Sequence, residues 1–224
     1  GGVVVSGRNV AYKASADAPT LVLLDNAPAD GVSGFNDITT DPLGRIYAGS
    51  LGYRPTVSSD MPKPGQLFLI DLDGSTRELA SGIELSNGMG FSPDGRLLYH
   101  ADSLRRTVYV YDVDEHGDIS AKRPFVRLDE GMPDGLAVAM DGSLWLAAVH
   151  AALVLVFDAD GREQRRFKFP LPMITSLCFA GEDLCDVYVV SGSEGAGRAD
   201  AGSIFKLRSD VPGVAVSAAR VLLP

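Results

Sequence analysis

"GQLFLIDLDG" (65–74), "TVYVYDVDEHG" (107–117) and "ALVLVFDADG" (152–161) are three versions of one unit: an apolar run, an Asp-rich turn and a glycine. The β-branched and aromatic residues of each run suit a strand, and the Asp and Gly that follow suit a tight turn. Gly74, Gly117 and Gly161 fall 43 and 44 residues apart, and "GSIFKLRSD" (202–210) is a degenerate fourth copy. Between the copies runs a second recurring unit, a turn followed by an apolar strand. It is seen as Asp41-Pro42-Leu43-Gly44 before "RIYAGS", Pro93-Asp94-Gly95 before "RLLYHAD", Met140-Asp141-Gly142 before "SLWLAAV" and, more loosely, Glu182-Asp183-Leu184 before "CDVYVVSG". Long helical patterns are absent. About four short strands per period of this length is what a propeller blade requires and a solenoid of helix pairs does not.

The fold expected is therefore an all-β propeller, with residues 1–224 forming one domain. Four periods start near Asn36, Asn87, Asp134 and Thr175, and residues 1–26 read as strands of one further blade, so the chain supplies about five blades. It opens inside strand material, and further sequence is expected ahead of it.

With 46% hydrophobic and 22% charged residues, the 224-residue chain can bury a sizeable core. No stretch approaches the ~18 consecutive apolar residues of a membrane span, and no secretory leader is legible. A formal charge of -9 without a basic stripe opposes contact with nucleic acid. The partner expected is a small molecule, with no nucleic acid and no membrane; the chain is expected as a monomer or small homo-oligomer in the cytoplasm. Cys178 and Cys185 have neither CxxC nor Cys/His spacing, which excludes a zinc ribbon. They read as a buried thiol on a strand and a second thiol in a nearby loop, with a local disulfide as the alternative. No GxSxG elbow, Walker A loop or HExxH helix is present. The glycine-rich run 192–197 follows a strand without opening a helix and reads as a loop.

In a propeller blade the first strand lines the central channel, so blade starts share one mouth. The starts "GFNDITTDP", "LSNGMGFSP", "MPDGLAVAM" and "ITSLCFAG" place Asn36, Asp37, Asn87, Asp134 and Thr175 or Ser176 there. The amide oxygen of Asn87 and the carboxylate of Asp134 are hard donors suited to a divalent cation. Calcium is the first expectation, with zinc, magnesium or manganese as alternatives. Taken singly, Asn87-Gly88 and Asp134-Gly135 also read as turn chemistry. The long loop 50–65 would lie over the channel as a lid, and loops 100–106, 149–152 and 191–200 would complete the rim. His100 and His150 are the histidines near this face. His150 is the substrate-side candidate, weighed against the solvated loop histidine that such a position more often holds. His116 sits in an opposite-face turn.

The run "SNGMGFSPDGRLLYHADSLRRTVYVYDVDEHGDISAKRPFVRLDEGMPDGLAVAMDGSLWLAA" (86–148) resembles the signature stretch of the senescence marker protein/gluconolactonase/luciferin-regenerating enzyme family. "FNDITTDPLGRIYAGS" (35–50) resembles its blade entrance, and "TSLCFAGEDLCDVYVVSG" (175–192) its last blade. The resemblance implies a six-bladed propeller, with the family's first blade ahead of this chain and a divalent metal held by a Glu, an Asn and an Asp. Asn87 and Asp134 are the Asn and Asp so implied, and Asn36 is implied to touch substrate or a metal-bound water. The implied activity is hydrolysis of a sugar lactone or related lactone, the metal polarising the carbonyl and Asp134 activating water as general base. Two departures accompany it. No Glu here stands where the family's glutamate ligand does, and Gly34 occupies a place where sugar-lactone members often carry an arginine. A non-catalytic metal- or ligand-binding propeller is the alternative.

Overall fold

The computed structural model describes residues 1–27, 30–57, 59–193, 197, 199 and 201–224. Among the described residues there are five sheets, each with its strands hydrogen-bonded in chain order, as the sequence period predicts. Among the described residues no helix is long and apolar enough to cross a membrane. The chain divides into two compact units.

The first unit comprises Gly1–Ser86, Val113–Ala121 and Val216–Pro224. It holds a three-stranded sheet, β1 (Val3–Val5), β2 (Val10–Lys13) and β3 (Thr20–Leu24), and a four-stranded one, β4 (Gly34–Thr40), β5 (Ile46–Leu51), β6 (Gly65–Ile70) and β7 (Thr76–Ile83). Val10, Val32, Phe35, Ile46, Ala48 and Ile70 form its apolar core. The segment Val216–Pro224 is laced to this unit through Thr40 Oγ1 to Ser217 O, Arg220 N to Gly44 O and Leu222 N to Leu72 O.

The second unit comprises Asn87–Asp112 and Lys122–Ala215. Its sheets are β8 (Ser86–Phe91) to β11, with β9 (Leu97–Asp102), β10 (Thr107–Asp112) and β11 (Arg123–Arg127); β12 (Met132–Val138) to β15, with β13 (Leu144–Val149), β14 (Leu153–Phe157) and β15 (Glu163–Lys168); and β16 (Ile174–Ala180), β17 (Asp186–Ser191) and β18 (Ile204–Arg208). Every residue of β13 and β14 is buried, because apolar side chains cover both faces of the middle sheet. On one face Trp145 stacks on Phe167 at 5.4 Å and meets Phe179 edge-on at 5.5 Å. Burial of this kind is the main favourable contribution to such a fold.

The repeated turns have one construction. The N–H groups of Gly74, Gly117 and Gly161 donate to the carbonyls of Asp71, Asp114 and Asp158 at 2.9, 3.1 and 2.9 Å, with glycine φ near +80° at each. The carboxylates of Asp114 and Asp158 each accept two further N–H groups of their own turn. In the other recurring turn Gly44, Gly95 and Gly142 are left-handed, and Leu184 takes the same conformation at φ 53°. The looser fourth copy thus keeps the turn and loses the glycine.

Candidate functional site

In three sheets the first strand departs from regular pairing at the predicted position. The register between β4 and β5 shifts between Phe35 and Ile38, so Asn36 and Asp37 share one place on the partner strand. The same shift occurs between Pro133 and Leu136 in β12, at Asp134-Gly135, and between Ile174 and Ser176 in β16, at Thr175. A bulge of this kind re-aims a side chain out of the ladder and is a common device at sites.

Asn87-Gly88 and Asp134-Gly135 are not turns. Both lie inside strands, and neither glycine has a positive φ. Their smallness serves close approach between successive first strands of the second unit. A Cβ on Gly88 would stand 2.5 Å from Asp134 O and from Leu136 N; one on Gly135 would stand 2.3 Å from Ser176 Oγ. The glycine after each polar residue brings the next strand's backbone against it, so β8, β12 and β16 crowd together where Asn87, Asp134 and Ser176 stand.

The orientation of Asn87 follows from its partners. Ser103 Oγ lies 2.5 Å from the carbonyl of Pro133, which can only accept, so the hydroxyl donates there. The same hydroxyl lies 2.7 Å from Asn87 Nδ2 and must accept from it. One N–H of the amide is therefore committed to Ser103, which fixes the amide's orientation, and the atom of Asn87 with the chemistry of a cation ligand is its oxygen. Ser103 is buried and also ties Asn87 to the residue directly before Asp134. Both Asn87 and Asp134 are half-buried. Their oxygens fit part of the coordination shell of a hard divalent cation. No group of three or more His, Cys, Asp or Glu that could hold a metal occurs among the described residues.

In the first unit Asn36 is exposed, and its Nδ2 donates to Ser86 O at 2.7 Å. Burial raises the carboxyl pKa of Asp37, against the lowering effect of the Ile38 N–H that it accepts. Asn36 lines a cavity of about 640 Å³ together with Ser33, Gly34, Tyr53 and Arg54. The 50–65 loop, described except at 58, thus borders the same cavity as Asn36; Arg54 is clamped on Asp60 through Nε and Nη2 at 2.9 and 3.0 Å.

Other expectations change. His100 is not in a rim loop: it sits inside β9, 1% exposed, and burial, helped by the charge of Lys122, drives its pKa down to about 3. His150 is exposed in the turn after β13 at φ 68°, its N–H held by Pro172 O. Cys178 is exposed, because Leu177 takes the inward face of β16, and both thiols are free. The predicted rim at 191–200 falls largely outside the described residues. Ser103 escaped the sequence reading, since its contacts are made across 16 and 30 residues and no local pattern announces them.

A model of the SMP-30/Gluconolactonase/LRE-like region matches residues 1–193. The pentonolactonase XacC of Haloferax volcanii is 39% identical over 191 residues, 80% of this chain and 63% of the relative. A 6-deoxy-6-sulfogluconolactonase of Pseudomonas putida is 32% identical over 225 residues, 96% of this chain and 76% of the relative. The chain therefore spans about two thirds to three quarters of these relatives. Among solved structures, that of a calcium-binding protein, regucalcin, from Agrobacterium tumefaciens superposes with a TM-score of 0.82 at 22% identity, covering 97% of this chain and 75% of the other. The fold is that of an all-β propeller.

Proposed function

Because the chain belongs to the SMP-30/gluconolactonase/LRE-like family, we propose that it acts as a lactonase-type hydrolase that opens a sugar lactone or related lactone. One observation carries the assignment of residues: the hydrogen-bond relay from Asn87 through Ser103 to Pro133, which orients an amide oxygen beside the strand that bears Asp134. Asn87 and Asp134 would hold a divalent cation, with calcium favoured by their hard oxygen donors and by the description of the regucalcin relative. When bound, such an ion supplies Lewis-acid polarisation of an ester carbonyl. Asp134 is the group assigned to take the proton of the attacking water. Asn36 keeps the substrate-side role that its position implies, and His150 is kept as a second substrate contact.

The test is hydrolysis of a panel of aldonolactones, with and without chelator, by the wild type and by Asp134→Ala and Asp134→Asn. Both variants are expected to lose at least about a hundredfold in kcat/KM, the scale of general-base catalysis. Full metal-dependent turnover by Asp134→Ala would overturn the assignment.

A second reading, a non-catalytic metal- or ligand-binding propeller, is favoured by there being no group of three or more His, Cys, Asp or Glu that could hold a metal among the described residues. Calcium binding by calorimetry without turnover on any lactone would decide for it.

A further inference from the structure

The cavity that holds Asn36 has an unusual charge for this chain. The molecule carries a formal charge of -9, yet among the described residues no Asp or Glu lines this cavity, while two arginines do, Arg8 and Arg54. Arg54 is matched by its two bonds to Asp60. Arg8 is exposed and makes no ion pair among the described residues. Its net positive charge is thus available to a ligand.

The placement of Arg8 is built rather than incidental. The turn between β1 and β2 is fastened to β4 by two bonds: the Phe35 N–H donates to Gly7 O at 2.6 Å, and Ser6 Oγ donates to Asn36 O. Gly34 makes this seam possible, because a Cβ there would stand 2.9 Å from Gly7 O and 3.6 Å from the Cα of Arg8, at a φ of 154°. Any side chain at 34 would displace the turn. The seam thus holds Arg8, from the neighbouring sheet, at the cavity that Asn36 also lines.

We propose that this cavity of the first unit is an oxyanion subsite, in which Arg8 receives the carboxylate or phosphate of an anionic lactone. A guanidinium presents paired N–H donors that match such groups, and a cavity without competing carboxylates concentrates an anion from solution. This deepens the lactonase reading and rests on it.

The test compares glucono-δ-lactone, which is neutral, with glucaro-1,4-lactone, which bears a carboxylate, and 6-phosphogluconolactone, which bears a phosphate. Wild-type kcat/KM is expected to favour at least one anionic lactone, and the two arms show which oxyanion is accepted. Arg8→Gln is expected to lower the anionic-to-neutral ratio of kcat/KM by about ten- to a hundredfold, as loss of a charge-assisted bond predicts, chiefly through KM. Arg8→Lys should retain part of the ratio, Arg54→Gln should change it far less, and added salt should narrow it. A ratio untouched by Arg8→Gln, with turnover intact, overturns the role of Arg8 and leaves the lactonase reading standing. Calorimetric binding of the same lactones separates the converse: Arg8-dependent binding of the anionic lactone without turnover upholds the site and overturns the lactonase. Neither binding nor turnover of any anionic lactone overturns the proposal.

Discussion

Asn87 and Ser103 form a donor–acceptor pair whose direction is set by a third atom, the carbonyl of Pro133, so that a hydroxyl fixes which end of an amide it holds. Ser103→Ala removes both bonds. Calcium affinity is expected to fall about ten- to a hundredfold, as when the partner that orients a metal ligand is lost. Stability should fall by about 1–3 kcal/mol, since a buried carbonyl and an amide lose their partner. Calorimetric titration and urea unfolding of the same variant measure the two effects; unchanged calcium affinity would refute the orienting role.

Gly88→Ala sets a methyl against the backbone of Asp134 and Leu136, and Gly135→Ala sets one against Ser176. Each is expected to cost about 1–3 kcal/mol by forcing strands apart, the usual range for overpacking. A Gly90→Ala comparison meets only the side chains of Leu136 and Val138, at 3.0 and 3.3 Å, and should cost less. Chemical denaturation of the three variants tests the ranking.

Leu184 holds a left-handed conformation that the equivalent turns give to glycine. Leu184→Gly is expected to raise stability by up to about 1–2 kcal/mol, the strain of an L side chain in that region, less whatever its packing contributes. A thermal midpoint below that of the wild type would show that packing outweighs strain.

The buried His100 predicts acid sensitivity. Its pKa is depressed from 6.5 to about 3, so the unfolded chain binds a proton there that the folded chain refuses. The stability is fully present above 6.5 and is lost as pH falls toward 3, by up to about 1.4 kcal/mol per pH unit. Asp37 acts in the opposite sense: its raised pKa gives a contribution present below its ordinary value and lost as pH rises through the folded one. Unfolding of His100→Gln between pH 7 and pH 4 should therefore show a shallower pH slope than the wild type; an identical slope would contradict the assignment.

The sheets were legible because their turns are local chemistry. Asp71, Asp114 and Asp158 each organise a few following residues, and a recurring local need leaves a recurring string. Positions of Asn36, Asn87 and Asp134 on the first strands were readable for the same reason. What the glycines beside them do was not, since Asn-Gly and Asp-Gly signal turns only when the backbone is free to turn. The demand on Gly88 comes from a strand 46 residues away in the chain. His100 and Cys178 were misplaced through strand ends and faces: "HAD" continues β9 to Asp102, and Leu177 decides which way its neighbour points.

Gly88 and Gly135 have no side chain to offer a ligand, yet their lack of a Cβ is what lets the neighbouring first strands approach beside Asn87 and Asp134. In a saturation scan they should tolerate replacement as poorly as Asn87 and Asp134 themselves. A mutational map of this protein would then show two-residue words, one letter chemical and one spatial, and tolerance alone would not tell them apart.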